Sequence, residues 1–327
     1  MKVILTVSSP PHIYGTDTTS RRMRDVLIAL LPACVFAVHV YGIYAFFTMS
    51  VAVVSAVASE YLFQKITGKR ITTSDRSAII TGLLLAFNLP PSVPFWIPVV
   101  GSAFAIIVVK QLFGGLGQNF LNPALAARAF LLASFPVHMT NWRVPGMPYD
   151  AEASPTLLAI MRYDPSFVPE MADYMALLFG KAGGTIGETS AVAIVIGGLY
   201  LIFRRVINWR IPVFFIGSFA FFAFVFGRDA FFSGYILFEI LAGGLLLGAF
   251  FMATDYATSP ISHNGKIIMG IGCGFLTVLI RFYGGYPEGV SYAILLMNLL
   301  VPVIDKYIRP QIYGRKKARE KLGGKKA

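Results

Sequence analysis

Apolar and polar positions along this chain fall into long blocks, not into the two-residue or 3.6-residue alternation of elements half-exposed to water. Ten apolar blocks, at about 26–41, 43–63, 78–87, 95–112, 123–135, 190–203, 211–226, 234–252, 267–282 and 292–307, are separated by polar connections. A helix needs about 20 mostly apolar residues to cross the hydrocarbon core of a bilayer. The pattern predicts an all-α integral membrane protein of about ten transmembrane helices, some of them short.

Two blocks end abnormally. Thr81-Gly82-Leu83-Leu84-Leu85-Ala86-Phe87-Asn88 runs into Leu89-Pro90-Pro91-Ser92, and a run that short, closed by a double proline, does not span. Gly244-Leu245-Leu246-Leu247-Gly248-Ala249-Phe250-Phe251 runs into Met252-Ala253-Thr254-Asp255-Tyr256-Ala257-Thr258-Ser259-Pro260. Both share Gly-Leu-Leu-Leu, and each is followed about one span later by a glycine pair, Gly114-Gly115 and Gly284-Gly285. The matching breaks divide the membrane region into two related halves, 26–135 and 190–307. Paired broken helices frame a central binding site in many membrane folds, because irregular backbone survives at membrane depth only where protein or a cavity satisfies it.

Composition agrees with the blocks. Of 327 residues, 56% are hydrophobic and 13% charged, and the mean hydropathy is +0.68. The net charge of +12 would suit nucleic acid, but the cations sit in short runs between apolar blocks, which points instead to membrane orientation. With both termini cytoplasmic, the inner segments hold Arg21, Arg22, Arg24, Lys65, Lys69, Arg70, Arg76, Lys110, Arg204, Arg205, Arg210 and Lys266. The basic tail, 308–327, adds many more, whereas the long connection 136–189 carries Asp150, Glu152, Asp164, Glu170, Asp173 and Glu188. This asymmetry predicts a multi-pass protein of the inner (cytoplasmic) membrane, with segments 1–25 and 308–327 inside and 136–189 outside. Cys34 and Cys273 lie in apolar blocks and read as packing residues, with no CxxC to build an iron–sulfur or zinc site.

The connection 136–189 ends on Gly183-Gly184-Thr185-Ile186-Gly187-Glu188-Thr189-Ser190, which opens the apolar block of 190–203. Its glycines allow close backbone approach, and a helix start offers free N–H groups to an anion. Thr189 and Ser190 place hydroxyls there, and either could serve as a simple N-cap. Asn119, Asn122 and Arg128 form a second candidate cofactor-binding set, toward an anionic partner such as a flavin; in it Asn122-Pro123 starts a helix and Arg128 is a charge inside an apolar block. Such a charge is costly and faces a cavity, an anionic ligand or an acidic side chain. Glu60, Glu239 and Asp255 lie within spans or at the second break and are candidate ion or proton ligands, or else helix-end charges touching water. His39 reads as a packed helix residue. The sequence contains no P-loop, no nicotinamide-binding GxGxxG and no Ser-His-Asp set.

Three stretches resemble the D-type subunit of Rnf ion-translocating electron-transport complexes and its relative, the B-type subunit of the sodium-pumping NADH:quinone reductase. They are Gly-Glu-Thr-Ser at 187–190, the opening through Ser9-Pro10-Pro11-His12-Ile13 and Ser20-Arg21-Arg22-Met23-Arg24-Asp25, and Gly114-Gly115-Leu116-Gly117-Gln118-Asn119-Phe120-Leu121-Asn122-Pro123 through Phe130. The resemblance implies FMN joined through its phosphate to Thr189 by a flavin transferase acting outside the cytoplasm, with Gly187, Glu188 and Ser190 beside it. Against the usual attachment signature, Asp-x-x-Ser/Thr-Gly-Ala-Thr, this chain keeps Gly187 but has Glu188 for Ala, Ile186 for Ser/Thr and Gly183 for Asp. The resemblance further implies a urea-transporter-like fold and other Rnf subunits as partners: a membrane flavin subunit and iron–sulfur and NAD-binding subunits. It also implies electron relay coupled to Na⁺ or H⁺ movement, and a second, non-covalent flavin such as riboflavin. A chain without its own catalytic set would act as a non-autonomous part of that oxidoreductase. The rival reading, a passive channel or carrier for a small neutral solute, fits the broken helices equally well but has no use for Gly187-Glu188-Thr189-Ser190.

Overall fold

The computed structural model describes residues 18–143, 155–164, 166–227, 232, 234–285 and 287–308. The Ser9–Ile13 motif and the basic tail beyond 308 lie outside the described residues. Among the described residues every regular element is helical.

Helix α1 (Thr19–Tyr41) starts at Thr18, whose side chain accepts from the Arg21 amide, and stops at Gly42 with φ +69°. At 1.5 Å per residue it is about 34 Å long. Helix α2 (Ile43–Ile66) returns alongside it. Helix α3 (Ser77–Phe87) covers only about 16 Å. Helix α4 (Trp96–Ala103) continues as a π-helical stretch, Phe104–Gln111. Helix α5 (Pro123–Ser134) is capped by Asn122, which accepts from the amides of Ala124 and Leu125. The connection 136–189 contains the short helices α6 (Pro136–Met139), α7 (Leu157–Tyr163) and α8 (Met171–Phe179). The second half comprises α9 (Ala191–Phe203), α10 (Arg210–Phe226), α11 (Ile236–Leu241) and α12 (Leu245–Leu247), the last continued by a π-helical stretch, Gly248–Met252. Helices α13 (His263–Tyr283) and α14 (Val290–Tyr307) complete it.

Of these, α1, α2, α13 and α14 are long and apolar enough to cross a membrane on their own, and α3, α4 with its π stretch, α5, α9 and α10 are shorter apolar helices. Large apolar side chains such as Leu31, Val35, Val54 and Phe221 face outward, as lipid requires of its neighbours. The structure is that of an integral membrane protein.

One boundary and one packing residue read from the sequence are corrected. The block at 234–252 is not one span: Ala242–Gly244 separates α11 from α12, with Gly243 at φ +70°. The second half is therefore interrupted both before α12 and after Met252. The reason lies outside the block, because the Arg281 guanidinium supplies donors to the carbonyls exposed at this break. His39 belongs to α1 but is exposed on its surface and does not pack.

The ends of α1 mark two faces of the bundle. At its start, Arg76 Nη1 donates to the Ser20 carbonyl at 3.0 Å, Arg204 pairs with Asp25 at 3.3 Å, and Arg22 donates to the Tyr256 hydroxyl at 3.0 Å. This gathers the start of α3, the end of α9 and the break after Met252 at the Thr19 face. At its other end, Tyr41 donates to the Gly184 carbonyl at 3.2 Å, placing the turn before α9 at the Tyr41 face. Close helix contacts rest on small residues, as membrane bundles favour. A Cβ on Gly82 would lie 2.7 Å from the Ala52 carbonyl oxygen of α2, and one on Gly274 would lie 2.7 Å from the Phe215 carbonyl oxygen of α10.

Candidate functional site

The residues singled out in the sequence fall into two separate groups. Around the Tyr41 face, the turn before α9 is wedged between both broken helices. The Ile186 amide donates to the Leu89 carbonyl, just past the end of α3, at 3.0 Å. A Cβ on Gly187 would sit 2.6 Å from Phe87 Cβ and 2.9 Å from Leu247 Cδ2, so only glycine lets the turn lie against α3 and α12 together. Residues Ile186–Glu188 form one turn of 3₁₀ helix. Thr189 is buried, and its hydroxyl donates to the Ile186 carbonyl at 3.2 Å. Ser190 is the N-cap of α9: its Oγ accepts from the Ala193 amide at 3.3 Å and donates to the Leu178 carbonyl at 2.8 Å. The capping reading therefore belongs to Ser190, and Thr189 carries the hydroxyl that α9 does not use.

Glu188 points from this turn toward the break at Ala242–Gly244, its carboxylate fitting where a Cβ on Gly184 or Gly244 would intrude, at 3.0 and 3.1 Å. Its Oε1 is sealed from solvent and accepts no hydrogen bond. The turn lies outside the spanning helices. Loss of hydration, and then the neighbouring Glu288 carboxylate, push the Glu188 carboxyl up to about 8, while Arg128 and Thr185 pull it the other way. Arg128, from α5, donates to Asn88 Oδ1 at 2.9 Å and pairs with Glu288. The acidic side chain that the sequence left open as its partner is thus Glu288. Glu239 is buried and pairs with Arg281 of α13 at 3.2 Å. It is not a helix-end charge in water.

The second group lies toward the Thr19 face. Asn119, Asn122 and Asp255 line one cavity of about 80 Å³, together with Ser77, Thr81 and Lys110. That is room for several water molecules. Asn119 Nδ2 donates to the Leu121 carbonyl at 3.0 Å. Asn122 both caps α5 and donates to the Met252 carbonyl at 3.1 Å, tying the first half to the second break. Asp255, half-buried, accepts from Thr258 at 3.2 Å. Glu60 is wholly buried, with Oε1 accepting from Lys110 Nζ and Gln111 Nε2, both at 2.7 Å. Lys110 also donates to Ser77 Oγ at 2.6 Å. Cys34 and Cys273 are free thiols, half-buried and buried, as packing residues are.

Lys110, Arg281, Glu288 and Asn88 were missed in the sequence. Lys110 and Arg281 carried the signal that exposed Arg128, a cation inside an apolar block. Glu288 sits in a short connection and carries no signal of its own.

Residues 6–314 match the family model described as NQR2, RnfD, RnfE. The chain belongs to that family. It is 50% identical over 311 residues, 95% of each chain, to the D-type subunit of the Na(+)-translocating ferredoxin:NAD(+) oxidoreductase complex of Acetobacterium woodii. It is 44% identical over 324 residues, 97% of this chain and 98% of the other, to the D-type subunit of the proton-translocating ferredoxin:NAD(+) oxidoreductase complex of Clostridium ljungdahlii. To the D-type subunit of the ion-translocating oxidoreductase complex of Stutzerimonas stutzeri it is 40% identical over 332 residues, 91% of this chain and 93% of the other. These relatives are named as subunits of redox complexes and not as solute channels.

Proposed function

We propose that this chain is the membrane subunit of an Rnf-type ferredoxin:NAD⁺ oxidoreductase that relays electrons through FMN joined as a phosphoester to Thr189, and that it contributes to Na⁺ or H⁺ translocation. The observation that carries the relay reading is the division of labour at the start of α9. Ser190 does the capping, and Thr189 holds a separate hydroxyl on a glycine-rich turn wedged between the two halves.

The residues present fit such a group. Gly183 and Gly184 keep the turn free of β-carbons, and capping α9 falls to Ser190, leaving the Thr189 hydroxyl for the ester; the Glu188 carboxyl must stay protonated or turn away for a phosphate to sit beside it. The N-terminal end of α9 adds partial positive charge, stabilising a nearby anion by about 0.3–1 kcal/mol. The acceptor is held by a single side-chain bond to Ile186, so unwinding the 3₁₀ turn presents it to a flavin transferase. FMN held here would supply an electron carrier at this face. Gly187 lets the turn that carries Thr189 lie against α3 and α12, and Ser190 holds the helix start. Translocation would use the cavity of Asn119, Asn122 and Asp255 with Glu60 at its side, and Glu239 at the opposite face. A second, non-covalent flavin such as riboflavin is part of the same proposal, as are the membrane flavin, iron–sulfur and NAD-binding subunits as partners. The charge pattern supports an inner-membrane orientation with both termini cytoplasmic and 136–189 outside.

Intact mass of the chain, isolated with its complex from cells that hold the flavin transferase, tests the relay. One added FMN is expected, localised to the peptide containing Thr189 and absent in Thr189→Val, with Ser190→Ala still loaded. An unmodified chain from such cells, or FMN persisting in Thr189→Val, refutes attachment at this residue.

A further inference from the structure

We infer that Lys110 is a tethered competitor for a sodium-sized cation: its ammonium occupies the cation position of Glu60, and an arriving Na⁺ displaces it toward Asp255. The inference rests on the ion-translocation reading above and adds a residue and a role to it.

Three observations carry it. First, Lys110 Nζ lies 2.7 Å from Glu60 Oε1 and 2.6 Å from Ser77 Oγ, and neither Lys110 nor Glu60 is more than 2% exposed. Oxygens of a carboxylate and a hydroxyl are what a hard cation requires, so the ammonium stands where such an ion would bind. Second, the remaining oxygen of this carboxylate, Glu60 Oε2, is buried and accepts no hydrogen bond. A fully buried carboxylate with half its acceptor capacity unused can still take a ligand. Third, Lys110 lines the same cavity as Asp255, which gives its flexible four-carbon stem a second anion within the water-sized space.

Charge counting gives the stoichiometry. With all three ionised, Glu60, Lys110 and Asp255 carry a net charge of −1, and an uncompensated charge in a low-dielectric interior is costly. One monovalent cation neutralises the set. Two opposite charges adjoin the set and cancel in the count: Asp75, which accepts from the same Ser77 hydroxyl, and Lys69, which donates to the Gln111 carbonyl at 3.4 Å; at the Thr19 rim Asp25 pairs with Arg204 and Arg76 is held by Ser20. Lys110 also sits at the end of the π-helical stretch Phe104–Gln111, a backbone form that recurs at functional sites.

The test uses the purified, oxidised complex without ferredoxin or NAD⁺, so that no turnover contributes. Retention of ²²Na⁺ is measured by equilibrium dialysis for the wild type, Lys110→Met, Lys110→Arg and Lys110→Met with Glu60→Gln. An ammonium that holds Glu60 about nine-tenths of the time lowers the apparent Na⁺ affinity about tenfold. Lys110→Met should therefore bind Na⁺ about tenfold more tightly, Lys110→Arg should stay near the wild type, and the double variant should lose the gain. A second measurement needs no variant: a membrane-soluble carbodiimide should cross-link Lys110 to Glu60 in choline chloride, and Na⁺ should suppress that amide several-fold. Equal Na⁺ affinity in wild type and Lys110→Met, a gain that survives Glu60→Gln, or cross-linking indifferent to Na⁺ would each overturn the role of Lys110. Ferredoxin:NAD⁺ activity and subunit content of the same wild-type preparation score the underlying reading separately.

Discussion

Arg281 is fully buried, and its removal should be among the most damaging single changes in the protein. Its Nη1 donates to the Glu239 carbonyl at 2.5 Å and pairs with Glu239 Oε2 at 3.2 Å, and Nη2 donates to the Ala242 carbonyl at 3.1 Å. The guanidinium also lies over the Phe219 ring, 5.0 Å from its centre. Arg281→Met roughly fills the volume but deletes every donor. Hydrogen bonds from a charged group are each worth about 1.5–3 kcal/mol. Breaking one side of a buried pair costs about 3–5 kcal/mol, because the other charge stays behind. The expected loss for Arg281→Met is therefore about 3–5 kcal/mol. Adding Glu239→Gln removes the stranded charge but not the unpaired carbonyls of Glu239 and Ala242, so the double variant should recover only part. Unfolding followed by size-exclusion of detergent-purified protein after stepwise heating should rank wild type first, the double variant second and Arg281→Met last. Arg281→Met melting with the wild type, or the double variant below the single, would refute the reasoning.

Other tests reach different parts of the structure. Gly274→Ala places a Cβ 2.7 Å from the backbone atoms Phe215 O and Phe219 N, and should cost about 1–3 kcal/mol in the same assay. Gly217→Ala, in the partner helix α10 with nothing within 4 Å, should leave stability unchanged or raise it by up to about 1 kcal/mol. The Glu188 carboxyl, held up at about 8 from an ordinary 4.5, favours the protonated folded state. The stability it lends is present below the ordinary value and is lost as pH rises toward about 8, so protection factors of amides in 185–190, corrected for intrinsic exchange, should fall between pH 5 and 8, and Glu188→Gln should flatten that fall. A cysteine at Ser166, in a chain lacking Cys34 and Cys273, should react with a membrane-impermeant thiol reagent in intact cells. Labelling only after lysis would reverse the proposed orientation.

The helices were legible because burial in lipid imposes a crude rule, about 20 apolar residues for a full span, and α1, α2, α13 and α14 obey it. The first break was legible because Pro90-Pro91 punctuates the chain locally. The break at Ala242–Gly244 was not, since what sustains it is Arg281, distant in sequence on α13. The same division runs through the candidate sites. Position alone predicts that Ser190, one residue further into the helix than Thr189, ties its hydroxyl to backbone, and the Ala193 amide bears it out. The partners of Arg128 and Glu60 come from α3, the connection before α14 and the π stretch after α4, and no local pattern announces such meetings.

A common physical demand explains why arginines gather where the helices are interrupted. The last carbonyls of a helix have no partner within it, and at membrane depth water is not there to supply one. Arg281 donates to the carbonyls of Glu239 and Ala242 at the end of α11. Arg162 donates to the carbonyl of Arg281 at 2.9 Å and also to that of Gly284, where α13 ends. At the end of α3, Asn88 Nδ2 takes the Leu84 carbonyl at 2.6 Å, and Arg128 holds Asn88 through its Oδ1. A guanidinium suits this task because it brings several donors in a fixed fork and a positive charge to the negative end of the helix dipole. Two of these cations have a carboxylate partner, Glu239 for Arg281 and Glu288 for Arg128. Glu188 joins the cluster from the turn that bears Thr189. The charges that hold the broken helices open are therefore the ones that surround the proposed flavin turn. A change of charge at that turn would act directly on the ends of α3, α11 and α13, and of these α3 also lines the cavity at the other face.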